Sequence, residues 1–162
     1  MVLWGIWQGT GKPKMTMFLK PLVLELNDLQ HNGFSFSING EKITTMVMLL
    51  VATMDSQARA LVVNMTHHNG MNGCLYCMEQ GEVKQRGAGW CRVYPARNNL
   101  PELRTSESAH LSASNAAKTG KRVDGFFGKS VLMYLPYFSI TDNIVYAWDF
   151  ARNLQRVPCI MV

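Results

Sequence analysis

The sequence predicts a mixed α/β fold, and three features of its first half carry that prediction. Residues 34–38 alternate apolar side chains with serine, which is a strand pattern, and the Asn-Gly pair at 39–40 is the favoured two-residue hairpin turn. Residues 46–54 are continuously apolar, as in a strand buried on both faces of a sheet, and the run ends at Asp55. Apolar residues then recur at helical spacing over 56–65.

Further elements flank this unit. Leucines on one face predict a helix over 21–30, with Pro21 in its first turn. Residues 105–119 are rich in serine and alanine and predict a second flanking helix. The apolar stretch 131–138 is expected to pack on the core.

The middle of the chain lacks a regular pattern, because glycines interrupt residues 67–104. A glycine-rich segment has little apolar surface to bury, so a bound metal is the natural means of holding it. We therefore divide the chain into a core (1–66), a glycine-rich, basic, metal-binding insertion (67–129), and an apolar return segment with an atypical C-terminal tail (130–162).

Composition and charge narrow the class of protein. Apolar residues make up 48% and charged residues 17% of the chain, which indicates a globular rather than a disordered protein. The net charge is +5, and residues 84–129 hold nine Lys or Arg against three acids. This basic segment favours nucleic acid as a partner, and a solvated polar loop is the alternative.

Membrane and secretory classes are not expected. The longest apolar run, 46–54, is too short to span a bilayer as a helix. The N-terminus has its charges after the apolar part and is not a secretory signal. We expect a nuclear or cytoplasmic protein, with possible self-association through the edge of the 46–54 strand if its sheet neighbours are missing.

Asp55 is the candidate catalytic residue. A carboxylate at the end of a buried strand faces the crevice where metal and phosphate ligands collect, and two-metal phosphoryl transfer needs such carboxylates. The alternative is that Asp55 only caps the helix that begins at Ser56.

The Cys74-x-x-Cys77 pair is the candidate metal site. Two thiolates at this spacing can hold one face of a tetrahedral zinc, and a second ligand pair is then required. The candidates for that second pair are Cys91, His110, His67 and His68. Two buried reduced cysteines and a redox pair are the alternatives.

Several arginines are candidates for phosphate contacts. These are Arg59, Arg86, Arg92, Arg97 and Arg104. Trp90 and Tyr94 lie on either side of Arg92 and would suit stacking on bases, although core packing is the preferred interpretation of both aromatics.

The stretch DSQARALVVNMTHHNGMNGCLYCMEQGE (55–82) resembles the D-x-P-A-R…N-G-x-x-G-C-x-x-C…G segment of CACTA (En/Spm)-type transposases. Other blocks resemble this family in the same order along the chain. They are KPKMTMFLKPLVLEL (12–26), WCRVYP (90–95), RTSES (104–108) and GFFGKSVLMYLPYF (125–138). The resemblance covers roughly residues 4–146.

The resemblance implies a partial RNase H-like mixed sheet with an inserted zinc-binding subdomain, DNA as the partner, and magnesium-dependent strand cleavage and transfer in the intact family. Asp55 matches the second acid of the family's catalytic triad. Cys74 and Cys77 match its C-x-x-C.

The chain also departs from the family pattern. Gln57 replaces a proline, and Ser106 stands where many relatives have histidine. Asp149 is not followed by the family's histidine, and the other two acids are expected outside residues 1–162. The expectation is a fragment that is inactive alone. Two other functions stay open: a domesticated module that binds nucleic acid or protein, and a small redox protein.

Overall fold

The first helix, α1, spans Met15–His31 in a computed structural model that describes residues 5–95 and 99–146. It begins six residues before the predicted start, so Pro21 lies inside the helix and not in its first turn. The reason is that the half-buried stripe along α1 already begins at Met15, and the burial of this stripe outweighs the backbone hydrogen bond that Pro21 cannot donate.

A hairpin follows, as predicted. Strands β1 (Phe34–Ile38) and β2 (Glu41–Thr45) pair antiparallel. Asn39 and Gly40 connect them, with φ of 53° and 86° respectively. Two consecutive positive φ values match a type I′ turn, which asparagine and glycine tolerate best.

The predicted long buried strand over 46–54 was wrong in length and in burial. Only β3 (Ala52–Met54) forms a strand, and it pairs in parallel with β6 (Ile144–Tyr146). Leu50 is 68% exposed, and Met46, Met48 and Val51 are exposed as well. A continuous apolar run is buried on both faces only where a sheet has neighbours on both sides, and among residues 5–95 and 99–146 β3 has β6 alone.

Two helices and a 3-10 helix lie between β3 and β6 along the chain. Helix α2 (Ser56–Val63) ends at Asn64 in the left-handed conformation, φ 58°, slightly before the predicted end at 65. Helix α3 (Ser106–Thr119) confirms the predicted helix over 105–119 and opens with a capping box between Thr105 and Ser108. Residues 131–138 pack on the core as expected, beginning with a short 3-10 helix, Val131–Tyr134.

Strands β4 (Glu82–Arg86) and β5 (Gly89–Val93) form a hairpin inside the stretch predicted to be irregular. The loop is Gly87-Ala88, with φ +61° at Gly87. Glycine at the first loop position matches a type II′ turn, so here glycine allows a hairpin instead of breaking one.

One cluster of buried side chains contains residues from all three predicted segments, 1–66, 67–129 and 130–162. Val63, Leu75, Phe126 and Ile144 are fully buried in it, and α3 adds a face of alanines. The architecture is therefore mixed α/β: helices around a shared core, with three separate two-stranded sheets in the described residues. Whether this corresponds to a partial RNase H-like sheet stays a prediction.

Candidate functional site

Asp55 lies at the end of a strand, as predicted, and it also caps a helix. It follows Met54, the last residue of β3, and its Oδ1 accepts a hydrogen bond of 2.7 Å from the backbone N–H of Ala58. The parallel register places Met54 beside Tyr146, the last residue of β6. The carboxyl ends of both strands therefore meet at the edge of the sheet where Asp55 is exposed to solvent.

Cys74 and Cys77 are both buried, and neither is part of a disulfide. We call residues 74–77 the cysteine turn. The backbone N–H of Tyr76 donates to the Sγ of Cys74 at 3.4 Å, and Cys77 forms a β-bridge with Leu103. The thiolate is the form of cysteine that binds metal or acts as a nucleophile.

Arg104 holds the cysteine turn from inside the protein. Its side chain is 5% exposed. Nε donates to the carbonyl oxygens of Cys74 and Cys77, each at 3.0 Å, so one N–H spans the two ends of the turn. The same guanidinium donates through a terminal nitrogen to the carbonyls of Asp124 at 2.7 Å and Asn72 at 3.4 Å.

The guanidinium of Arg104 also contacts an aromatic ring, and one of its nitrogens makes no hydrogen bond among the described residues. Its guanidinium carbon lies 5.4 Å from the centroid of the Phe126 ring, a cation–π distance. Its other terminal nitrogen is buried without a hydrogen-bond partner among the described residues. Burial lowers the pKa of Arg104, while Asp124 and the two cysteines act in the opposite direction.

Tyr94 ties the loop before the cysteine turn to β5. Its hydroxyl accepts from the N–H of Gly73 at 3.0 Å and donates to the carbonyl of Gly70. A side chain at Gly73 would meet the carbonyl of His67 at 2.1 Å, so only glycine fits there. Desolvation by burial raises the pKa of Tyr94 above 10.0, which the hydrogen bond from Gly73 partly opposes. The prediction that Tyr94 packs in the core is confirmed.

A tetrahedral zinc site needs two ligands beyond Cys74 and Cys77. Cys91 lies on β5 and is half-buried, and His110 lies on α3. Among residues 5–95 and 99–146, no three His, Cys, Asp or Glu side chains come close enough together to hold one ion. Zinc at Cys74, Cys77, Cys91 and His110 therefore stays a prediction.

The arginines divide into two groups. Arg59 and Arg104 are buried, and the guanidinium of Arg59 donates to the carbonyl of Gly73 at 3.1 Å. Neither faces solvent, so the predicted phosphate contacts of this pair do not fit their positions. Arg86 is exposed on β4, while half-buried Arg92 donates to the carbonyls of Gln80 and Gly81.

Trp90 contradicts the preferred sequence interpretation, because it is 72% exposed and does not pack in the core. Arg97, Asp149 and Cys159 lie outside the described residues. Sequence reasoning missed the internal role of Arg104. The only local signal was an arginine directly before a capped helix, and that signal does not distinguish a buried guanidinium from a surface one.

No family model, curated protein or solved structure matches this chain.

The described helices also bear on membrane insertion. Within residues 5–95 and 99–146, none is long and apolar enough to cross a bilayer.

Proposed function

We propose that this chain is an internal fragment of a CACTA-type DNA transposase, and that by itself it contacts DNA without cutting it. The observation that carries the proposal is the position of Asp55, which closes a strand at the joined carboxyl ends of two parallel strands. Carboxylates at such a sheet edge are the usual holders of the metal ions of phosphoryl transfer.

We expect no DNA cutting because too few carboxylates are available to hold the two metal ions. Two divalent ions about 3.5–4 Å apart need several carboxylates to hold them against hydration. Among residues 5–95 and 99–146, Asp55 belongs to no group of three side chains that could hold a metal ion. Its carboxylate is also engaged with the N-terminus of α2.

The cysteine turn supports the same family origin. It lies after α2, in the order that the resemblance requires, and both thiols are buried and reduced. Within this turn, the backbone N–H of Tyr76 donates a hydrogen bond to the Sγ of Cys74. Cys91 and His110 are the candidates for the remaining zinc ligands.

A non-catalytic binding module is the second candidate. It is favoured by the β4–β5 hairpin, which carries Lys84, Arg86 and Trp90 on exposed strands. A redox function is less favoured, since both thiols of the cysteine turn are buried.

Three measurements test the proposal. End-labelled DNA incubated with the protein and Mg²⁺ or Mn²⁺ should stay intact, and cleavage that is lost in Asp55→Asn would overturn the claim of inactivity. Purified protein should contain zinc, and Cys74→Ser should lose it. Cys91→Ser should also lose zinc if Cys91 is a ligand. Wild-type protein without zinc would overturn the zinc-binding part of the proposal. The genomic sequence on either side of this reading frame should encode the two missing acids, and flanks without them would favour the binding module.

A further inference from the structure

The β4–β5 hairpin, residues 82–93, carries exposed side chains along almost its whole length, and we call it the basic hairpin. Its two-residue turn at Gly87-Ala88 keeps the two strands in register. A hairpin this exposed contributes little to the core, so its side chains are available to a ligand.

Trp90 is the most informative residue of the basic hairpin. Its indole is 72% exposed. Its cross-strand neighbour is Gln85, and Val83, on the same face, is also exposed. An indole with its apolar surface in water, beside a polar neighbour, adds little to folding and offers a flat surface for stacking.

The charge of the basic hairpin matches a polyanion. It contains Lys84, Arg86 and Arg92 against one acid, Glu82, which lies 3.9 Å from Lys84. Arg86 pairs across the strands with Gly89 at the end of the hairpin, and its side chain is exposed to solvent.

Arg92 has a different role. Its guanidinium donates to the carbonyls of Gln80 and Gly81, each at 2.9 Å. These bonds fasten the base of the basic hairpin to the loop before it. The exposed cations are thus Arg86 and Lys84, of which Lys84 also forms the exposed ion pair with Glu82, and both lie on the face opposite Trp90.

We propose that Trp90 stacks on a base of single-stranded DNA while Arg86 and Lys84 contact the adjoining phosphates. Arg86 directly precedes the Gly87-Ala88 turn and Trp90 follows that turn by two residues, so a nucleic-acid strand that crosses the end of the hairpin passes both side chains. Stacking requires an unstacked base, which a single strand offers and a duplex does not. The inference rests on the DNA partner of the proposed function and adds the contacting element and the state of the DNA.

Binding is measured by fluorescence anisotropy of a labelled oligo-thymidine of about 12 nucleotides. An abasic oligonucleotide of the same length reports the contribution of the backbone alone. Trp90→Ala should weaken binding of oligo-thymidine by about 5- to 100-fold, and Trp90→Phe by much less, because both indole and phenyl rings stack on bases. Neither change should affect binding of the abasic strand. Trp7→Ala, at another exposed tryptophan, is the matched control and should leave both affinities unchanged.

Arg86→Gln tests the phosphate contact. It should lower affinity for both oligonucleotides and reduce the slope of log affinity against log salt by about 0.7. Arg122→Gln, at an exposed arginine outside the hairpin, should change the slope less.

The outcomes separate the two proposals. If the wild-type protein binds both DNA forms but Trp90→Ala leaves the oligo-thymidine to abasic ratio unchanged, base stacking is overturned and the DNA partner stands. If the wild-type protein binds no DNA at low salt, the DNA partner of the proposed function fails, and this inference fails with it. Preference for duplex over single strands would overturn the stacking proposal alone.

Discussion

Replacing Arg104 by methionine should destabilise the protein more than replacing any surface arginine. Methionine keeps much of the apolar stem but removes every donor of the guanidinium. Four carbonyl oxygens then lose their partner in the interior, and two of them belong to the cysteine turn. The other two belong to Asn72 and Asp124.

The magnitude follows from those bonds. Nε serves two carbonyls and one terminal nitrogen serves the other two. A hydrogen bond to a charged group contributes about 1.5–3 kcal/mol. Removal of the buried charge itself regains some desolvation energy. A net loss of about 3 kcal/mol is therefore expected from a total of about 5–15 kcal/mol.

Urea denaturation followed by circular dichroism measures this change in the free energy of unfolding. Arg104→Lys should fall between wild type and Arg104→Met, because an ammonium keeps the charge but cannot reproduce the planar fork. Arg122→Met, at an exposed site, should stay within about 0.5 kcal/mol of wild type. The rate of alkylation of Cys74 and Cys77 gives a local readout, and it should rise in Arg104→Met. Wild-type stability and wild-type thiol protection in Arg104→Met would refute the reasoning.

Three more predictions concern other parts of the chain. Asp55→Ala should cost about 1 kcal/mol in urea denaturation by removing the cap on α2, whereas Asp55→Asn should cost little because asparagine also caps; equal losses would rule out capping as the cause. The pKa of Tyr94 is raised in the folded protein, so the contribution of Tyr94 to stability is complete below pH 10.0 and is lost as pH rises through the higher folded pKa. Tyr94→Phe should remove this alkaline loss when the free energy of unfolding is measured against pH. An unchanged loss would assign it to another group. Leu50→Lys and Met48→Lys should reduce self-association in sedimentation, because both side chains are exposed beside β3, and unchanged association would place the contact elsewhere.

Features that depend on a few neighbouring residues were predictable from the sequence. The Asn39-Gly40 turn, the helix over 105–119 and the placement of Asp55 between a strand and a helix all follow from local backbone preferences and capping. The basic hairpin was predictable in principle, because glycine at the first position of a two-residue loop is a hairpin signal, but its glycines were interpreted as breakers.

Features that depend on distant neighbours were not predictable. The apolar run at 46–54 predicted burial on both faces, yet burial requires flanking strands, and the described chain supplies only β6. The metal site shows the same limit: the spacing of Cys74 and Cys77 predicts a pair of ligands, while the approach of Cys91 or His110 depends on how the hairpin and α3 pack.

The sequence by itself determined the turn at Asn39-Gly40, the starts of α2 and α3, and which residues are candidates for metal and phosphate chemistry, because those properties are set by φ preferences, caps and residue type within a few positions. Only the tertiary structure decided that Arg104 faces inward across the cysteine turn while Trp90 faces solvent. An arginine and a tryptophan each have one charged or polar part and one apolar part, so either can be buried or exposed, and the outcome is set by residues far away in the chain that come to surround it.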